Sequence, residues 1–306
     1  MSRDQNSTQE ESFNIVNMAN TAVGKSSTHK APKMKLLCSV SGLPISLAVA
    51  VNTFIMILVA TILLLSQYGV IPAKKTGFYC GDPLYSHKYT GDTITSAILG
   101  FTAVALILLI ILLTEISAHG SWRKINRRRT WIHFQECIVG VIVVFLLTAV
   151  AKLLVGEHRP HFFDVCQPDT AKNCTKGEFV ESFECTNTEQ TWLTVFDSSL
   201  SFPSGHSSIS WFLGMLLSYI IQTTLTTVNT GSLMKPFLIS VCLTWSLVCS
   251  LSRITDRRHH WWDVLAGTTI GILCSLVSMM IIRKKILAME KKVIDSEVET
   301  SEEDMA

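Results

Sequence analysis

Six stretches of this 306-residue chain are apolar over lengths that suit a lipid bilayer. A membrane helix needs roughly 20 largely apolar residues, at about 1.5 Å rise each, to cross about 30 Å of hydrocarbon. Residues 44–66, 93–114, 131–155, 207–225, 236–252 and 264–282 meet or approach that length. A water-soluble fold can bury one or two such helices, but hardly six. Composition agrees, because 48% of residues are hydrophobic and only 16% charged. Soluble chains average about a quarter charged residues, so this chain has too few to cover a water-facing surface. A net charge of +2 gives no footprint for nucleic acid, and disorder, collagen and a small disulfide scaffold are excluded on composition. The expected fold class is all-α, an integral membrane bundle of six transmembrane helices over residues 44–285. Residues 1–43 are expected as a disordered cytosolic tail and 286–306 as an acidic cytosolic one.

Lysine and arginine in the short loops set the orientation. Lys25, Lys30, Lys33 and Lys35 precede the first span, Arg123, Lys124, Arg127, Arg128 and Arg129 separate the second from the third, and Arg283, Lys284, Lys285, Lys291 and Lys292 follow the sixth. With six spans, parity puts all three clusters on the cytosolic side. The acid-rich segment 157–203 then lies outside, in the lumen or beyond the cell. Asn173-Cys174-Thr175, a glycosylation sequon, falls in that loop, whereas the sequon at Asn6 falls in the cytosolic tail and should be silent. Cys80, Cys166, Cys174 and Cys185 also lie on the outer side, where disulfides form; three pairings are open to them. Cys38, Cys137, Cys242, Cys249 and Cys274 lie in or beside spans and read as small apolar fillers. The N-terminal 40 residues contain no cleavable leader pattern, so the first span is expected to act as a signal-anchor.

The informative residues are charges the bilayer would not choose. Lys152 and Arg159 stand at the outer end of the third span, Pro203-Ser204-Gly205-His206 opens the fourth, and Arg253, His259 and Asp263 lie in a short charged segment between the fifth and sixth. Ionisable groups at membrane depth are costly and point to function. Seven residues apart, Lys152 and Arg159 would share a helix face, with Pro160 stopping the helix. With Arg253, beside a Ser-Gly turn at a helix start, they make an anion site whose natural guest is phosphate. His259, oriented by Asp263, can serve as a nucleophile. His206 can protonate the leaving alkoxide and later deprotonate water. The cations neutralise the phosphoryl oxygens, so no metal or cofactor is called for. Singly, these groups have bland readings as a helix cap, an interfacial aromatic belt or a snorkelling lysine. Three separate segments converging on one face favour the site. Arg257, Arg258 and His260 read as headgroup contacts.

The series Lys152-x6-Arg159-Pro160, Pro203-Ser204-Gly205-His206 and Ser252-Arg253-x5-His259-x3-Asp263 resembles the three-part signature of the type 2 phosphatidate phosphatase (PAP2) superfamily. The flanking residues, such as Gly156 to Cys166 and Leu200 to Ser208, resemble its animal lipid phosphate phosphatase branch. The resemblance spans roughly residues 40–285. It implies an acid-phosphatase-like bundle of six helices and a metal-independent hydrolase with an outward-facing site. It further implies His259 as the phosphohistidine-forming nucleophile supported by Asp263, His206 as acid/base, and Lys152, Arg159, Ser204, Gly205 and Arg253 as phosphate ligands. Implied substrates are membrane lipid phosphates: phosphatidate, lysophosphatidate, sphingosine 1-phosphate and ceramide 1-phosphate, with a role in phospholipid metabolism and lipid signalling. The plasma membrane is the expected location, with endoplasmic reticulum or Golgi as alternatives, and homo-oligomers are a family tendency. Rival readings are another phosphate substrate (a polyprenyl diphosphate, a sugar phosphate or sphingoid phosphates alone), a non-catalytic lipid-phosphate binder, and Ser204 as nucleophile with His206 as base.

Overall fold

The computed structural model describes residues 47–120, 123 and 125–303. The chain divides into residues 1–50 and 51–306, and all that follows concerns the second unit, apart from the first turn of its leading helix. The expected tail 1–43 lies outside the described residues, as do Asn6 and Cys38. Six long helices account for the bundle among the described residues: α1 (Leu47–Gln67), α2 (Ser96–His119), α3 (Arg127–Val155), α4 (Gly205–Thr224), α5 (Met234–Thr255) and α6 (Trp261–Glu303). They coincide with the six apolar stretches. α2, α3, α5 and α6 are long and apolar enough to cross a membrane, and the fold is a membrane helical bundle.

α4 is the least obvious span in sequence because it is the centre of the bundle. It packs against α2, α3, α5 and α6, and Ser207, Ser208 and Ser210 are almost completely buried on it. A helix facing protein rather than lipid can carry hydroxyls, provided they find acceptors. Ser208 donates to the Ser204 carbonyl (2.8 Å), and Ser246 of α5 to the Ser210 carbonyl (2.6 Å). Small residues let the helices close up. A Cβ at Gly267 or Gly271 of α6 would run into the carbonyl oxygens of Ser204 or Ser208. Below this layer the core is aliphatic, with Ile107, Val144, Leu216, Ile220 and Ile282 at its centre.

α3 ends at Gly156, in the left-handed region (φ 62°), where any side chain would strike the Lys74 carbonyl. The helix expected to carry Lys152 and Arg159 together therefore stops short, and Arg159 arrives from the following loop. α6 continues unbroken from the bundle through residues 286–303, so the acidic terminal segment extends the last helix.

The loops at one end form a small cap. Two-residue strands β1 (Phe78–Tyr79) and β2 (Phe179–Val180) pair antiparallel over an aromatic cluster of Phe78, Phe162, Phe163 and Phe183. Of the three cysteine pairings left open by sequence, the fold selects Cys80–Cys174 and Cys166–Cys185. Cys137, Cys242 and Cys249 are free and buried, as expected of apolar fillers.

Candidate active site

The start of α2, the end of α3, the start of α4, the end of α5 and the start of α6 meet beneath this cap. They enclose a cavity of about 420 Å³. Lys152, Arg159, Gly205, His206, Arg253 and His259 all line it. Ser204 and Asp263 lie fully buried directly behind, joined by the Ser204 amide donating to the Asp263 carbonyl (3.0 Å). Three distant segments are thus brought to one place.

The loop between α3 and α4 returns along residues 157–159. Its backbone is held there by Arg159 N–H on the Ser198 carbonyl (2.8 Å) and Ser201 N–H on the Glu157 carbonyl (2.8 Å). This docking sets three side chains. Lys152 Nζ donates to the Leu200 carbonyl (2.5 Å), so it turns inward rather than snorkelling. Arg159 donates to Asp197 from Nη2 (2.6 Å) and to the Asp197 carbonyl from Nε (2.8 Å). Ser201 donates to Asp263 Oδ2 (2.5 Å).

His259 sits just before α6, and its Nδ1 faces both Asp263 Oδ2 (3.5 Å) and Ser201 Oγ (3.4 Å). The Asp263 carboxylate also accepts the His260 amide (2.9 Å), which fixes it across the start of the helix. Burial, and after it the Arg159 guanidinium, holds the His259 imidazole well below the ordinary histidine pKa, with Asp263 pulling the other way. Both of the lowering effects favour the neutral ring. With Nδ1 turned to Asp263, its Nε2 lone pair is the one left for chemistry. His206, in the first turn of α4, has a buried Nε2 with no hydrogen-bond partner. The first amides of that helix have no intrahelical acceptor. A Cβ at Gly205 would project into open space, so this residue leaves the helix start bare toward the cavity.

Five residues of the site were not singled out from sequence. Arg258, read as a headgroup contact, is buried and lines the cavity; it bridges Asp197 (2.9 Å) and Asp92 (3.1 Å). Asp92, ahead of α2, also takes Arg253 (2.7 Å), which pairs in addition with Asp256 (3.0 Å). Four basic groups (Lys152, Arg159, Arg253, Arg258) thus face three carboxylates (Asp92, Asp197, Asp256), with the Asp263 carboxylate behind His259 as a fourth. Burying cations is costly unless they are paired, and these acids hold the guanidinium forks in place. Burial would raise the Asp197 carboxyl, but Arg159, Lys152 and Arg258 outweigh it and hold the group well below the usual carboxylate range. Ser201 is the fifth, as the donor to Asp263. His260 is likewise buried rather than at the headgroups, stacked on Trp262 with ring centroids 4.5 Å apart. Only Arg257 of that trio stays exposed.

The cavity is two-faced. Its charged end gives way to Leu99, Ala103, Ile107, Val141 and Phe145 on α2 and α3. A guest with an anionic head and an apolar body matches both ends.

Comparison with known proteins agrees with this geometry. The profile of the PAP2 superfamily matches residues 136–287, which contain every motif residue from Lys152 to Asp263. A Drosophila melanogaster protein named "Putative phosphatidate phosphatase" is 28% identical over 228 residues, 66% of this chain and 60% of that protein. Phospholipid phosphatase 1 of Rattus norvegicus is 30% identical over 217 residues, covering 67% of this chain and 74% of the relative. Phospholipid phosphatase 2 of Bos taurus is 29% identical over 215 residues, 67% and 72% of the two chains. No solved structure matches the chain at comparable significance. With the motif residues gathered in one cavity and relatives of this likeness, the chain belongs to the PAP2 superfamily, as a membrane-embedded phosphatase.

Proposed function

We propose that the protein hydrolyses lipid phosphomonoesters through a phosphohistidine, at a site facing away from the cytosol. The observation that carries this reading is the cavity itself, with four cations and two histidines at one end and an aliphatic wall at the other. The relatives' names, phospholipid phosphatase and phosphatidate phosphatase, point the same way. Phosphatidate, lysophosphatidate, sphingosine 1-phosphate and ceramide 1-phosphate all have such a head and body. The aliphatic wall disfavours a sugar phosphate, which would bring hydroxyls to it.

In the proposed sequence, His259 Nε2 attacks phosphorus as the ester P–O bond breaks. Lys152, Arg159, Arg253 and the α4 amides take up the charge on the three phosphoryl oxygens. Ser204 holds the turn from which those amides project. Asp263 stabilises the imidazolium that forms, and His206 protonates the departing alkoxide. Water then attacks the phosphohistidine, His206 accepts its proton, and the P–N bond breaks to release inorganic phosphate. Arg258, on the same cavity wall, joins this set. The alternative nucleophile, Ser204 Oγ, is fully buried and accepts from Ser207 Oγ (3.2 Å), which argues against it.

The topology we propose has six spans and cytosolic termini. The helix ends alternate accordingly, with the basic run before α3 at the end opposite the site. Both disulfides, and the exposed Asn173, then lie on the outer side.

The test is phosphate release from phosphatidate and sphingosine 1-phosphate by purified wild type and His259→Ala, with EDTA present. Turnover by wild type and none by the variant is the expected result. Equal rates in the two proteins would remove His259 from the mechanism, and silence from both would leave a lipid-phosphate binder. A trapped phosphoenzyme should be acid-labile and base-stable; the reverse would indicate phosphoserine.

A further inference from the structure

Behind the nucleophile lie two side chains that the proposed reaction does not use, set against one that it does. Glu157, in the loop after α3, and His260, just before α6, meet the carboxylate of Asp263. Donor atoms of the three lie within 4.8 Å of one another, and they are the group of this kind among the described residues. His260 Nδ1 is 3.6 Å from Glu157 Oε1 and 3.4 Å from Asp263 Oδ2. Charge-assisted hydrogen bonds of this type run at about 2.7–2.9 Å, and neither nitrogen of this buried ring makes a hydrogen bond. Asp263 Oδ1 is likewise buried without a partner. A tetrahedral ion with bonds of about 2.0–2.2 Å separates its ligands by about 3.3–3.6 Å. The two measured separations match that spacing.

We propose that Glu157, His260 and Asp263 bind a divalent transition-metal ion of the Zn²⁺ class, with a fourth position open to water. An imidazole with two carboxylates suits a borderline ion; Ca²⁺ and Mg²⁺ demand six or more oxygen ligands. The ligands are already oriented. The His260 ring is stacked on Trp262 and set edge-on to Tyr85 at 5.9 Å, while Trp262 Nε1 donates to Glu157 Oε1 (2.8 Å). Glu157 keeps a fifth of its side chain exposed, which gives the ion a way in. Metal on Asp263 withdraws electron density from the group that steadies His259, so the bound ion slows the enzyme. The ion is a brake outside the reaction, and turnover proceeds without it.

The experiment uses the full chain, purified in detergent and stripped with EDTA. Zn²⁺ is titrated against a chromophoric chelator, and Co²⁺ is added as an absorbing substitute. We expect one tight ion per chain and the intense visible band of four-coordinate Co²⁺. Glu157→Gln and His260→Gln should each weaken binding about 10–100-fold. Phosphatase activity should fall as the wild-type site fills, with Glu157→Gln resisting over the same range. Absence of a bound ion in wild type, or binding unchanged in Glu157→Gln, overturns the proposal; that variant is judged alone if His260→Gln does not fold. Binding is read without substrate, so its failure is distinct from any failure of the lipid phosphatase reading.

Discussion

Replacing Gly267 by alanine tests whether α6 sets the position of the phosphate-binding turn. A Cβ there would overlap the Ser204 carbonyl oxygen, stand 3.3 Å from the Ser204 carbonyl carbon and lie 3.0 Å from Ser208 Oγ. Unbonded carbon and oxygen need about 3.3–3.6 Å. The two helices must therefore part by about 1 Å, or Ser204 must rotate away from its bond to Asp263. Overpacking of this kind costs about 1–3 kcal/mol, which a bundle of this size should survive. Activity should suffer more, because Ser204, Gly205 and His206 move as one piece relative to His259. A displacement of about 1 Å at a reacting centre can cost about 100-fold in rate. The assay is phosphate release from phosphatidate in mixed micelles, beside a thermal melt of the same preparation. The control is Gly100→Ala, whose Cβ meets nothing within 4 Å; it should melt no lower than wild type, since alanine is favoured by about 1 kcal/mol in a helix. A folded Gly267→Ala protein with wild-type turnover would refute the claim that close approach of α6 fixes the turn.

His161 gives a pH prediction. Its Nδ1 donates to the Arg257 carbonyl (2.9 Å), leaving Nε2 to face Arg258 Nη1 (3.4 Å). Burial lowers its pKa to about 4, so the folded state favours the neutral ring; the stability this confers is complete above pH 6.5 and lost as pH falls toward 4. At about 1.4 kcal/mol per unit, the loss approaches 3 kcal/mol, and His161→Gln should show a shallower fall in melting temperature across that window; identical slopes would exclude His161 as the cause. Arg258→Met should lower kcat/KM for phosphatidate by about 10–100-fold, the worth of a charge-assisted contact, and an unchanged value would take Arg258 out of the site. For topology, Asn173→Gln should abolish a glycosidase-sensitive shift on gels while Asn6→Gln leaves it; the opposite pattern would invert the orientation.

Much of this was legible before any fold was known. The apolar stretches located all six long helices, because a helix that faces lipid or the interior of a bundle must be largely apolar. The motif residues from Lys152 to Asp263 stood out because charge at membrane depth needs a reason. The errors came where the reasoning assumed local continuity. Lys152 and Arg159 were expected on one helix, but the Lys74 carbonyl beside Gly156 ends α3 first. Arg258 and His260 looked like surface residues because their partners lie far away in sequence.

The sequence by itself determined the membrane-helical class and the places of the three motifs, since these answer to solvent, charge and neighbours along the chain. The tertiary structure alone decided the rest. It chose Cys80–Cys174 and Cys166–Cys185, set Ser201 against Asp263, and gave Arg253 and Arg258 a shared carboxylate in Asp92, 161 residues from Arg253. It also gathered Glu157, His260 and Asp263. Such pairings carry no local pattern, because a buried charge is satisfied by whichever group the fold returns to it, and that return is a property of the packed helices.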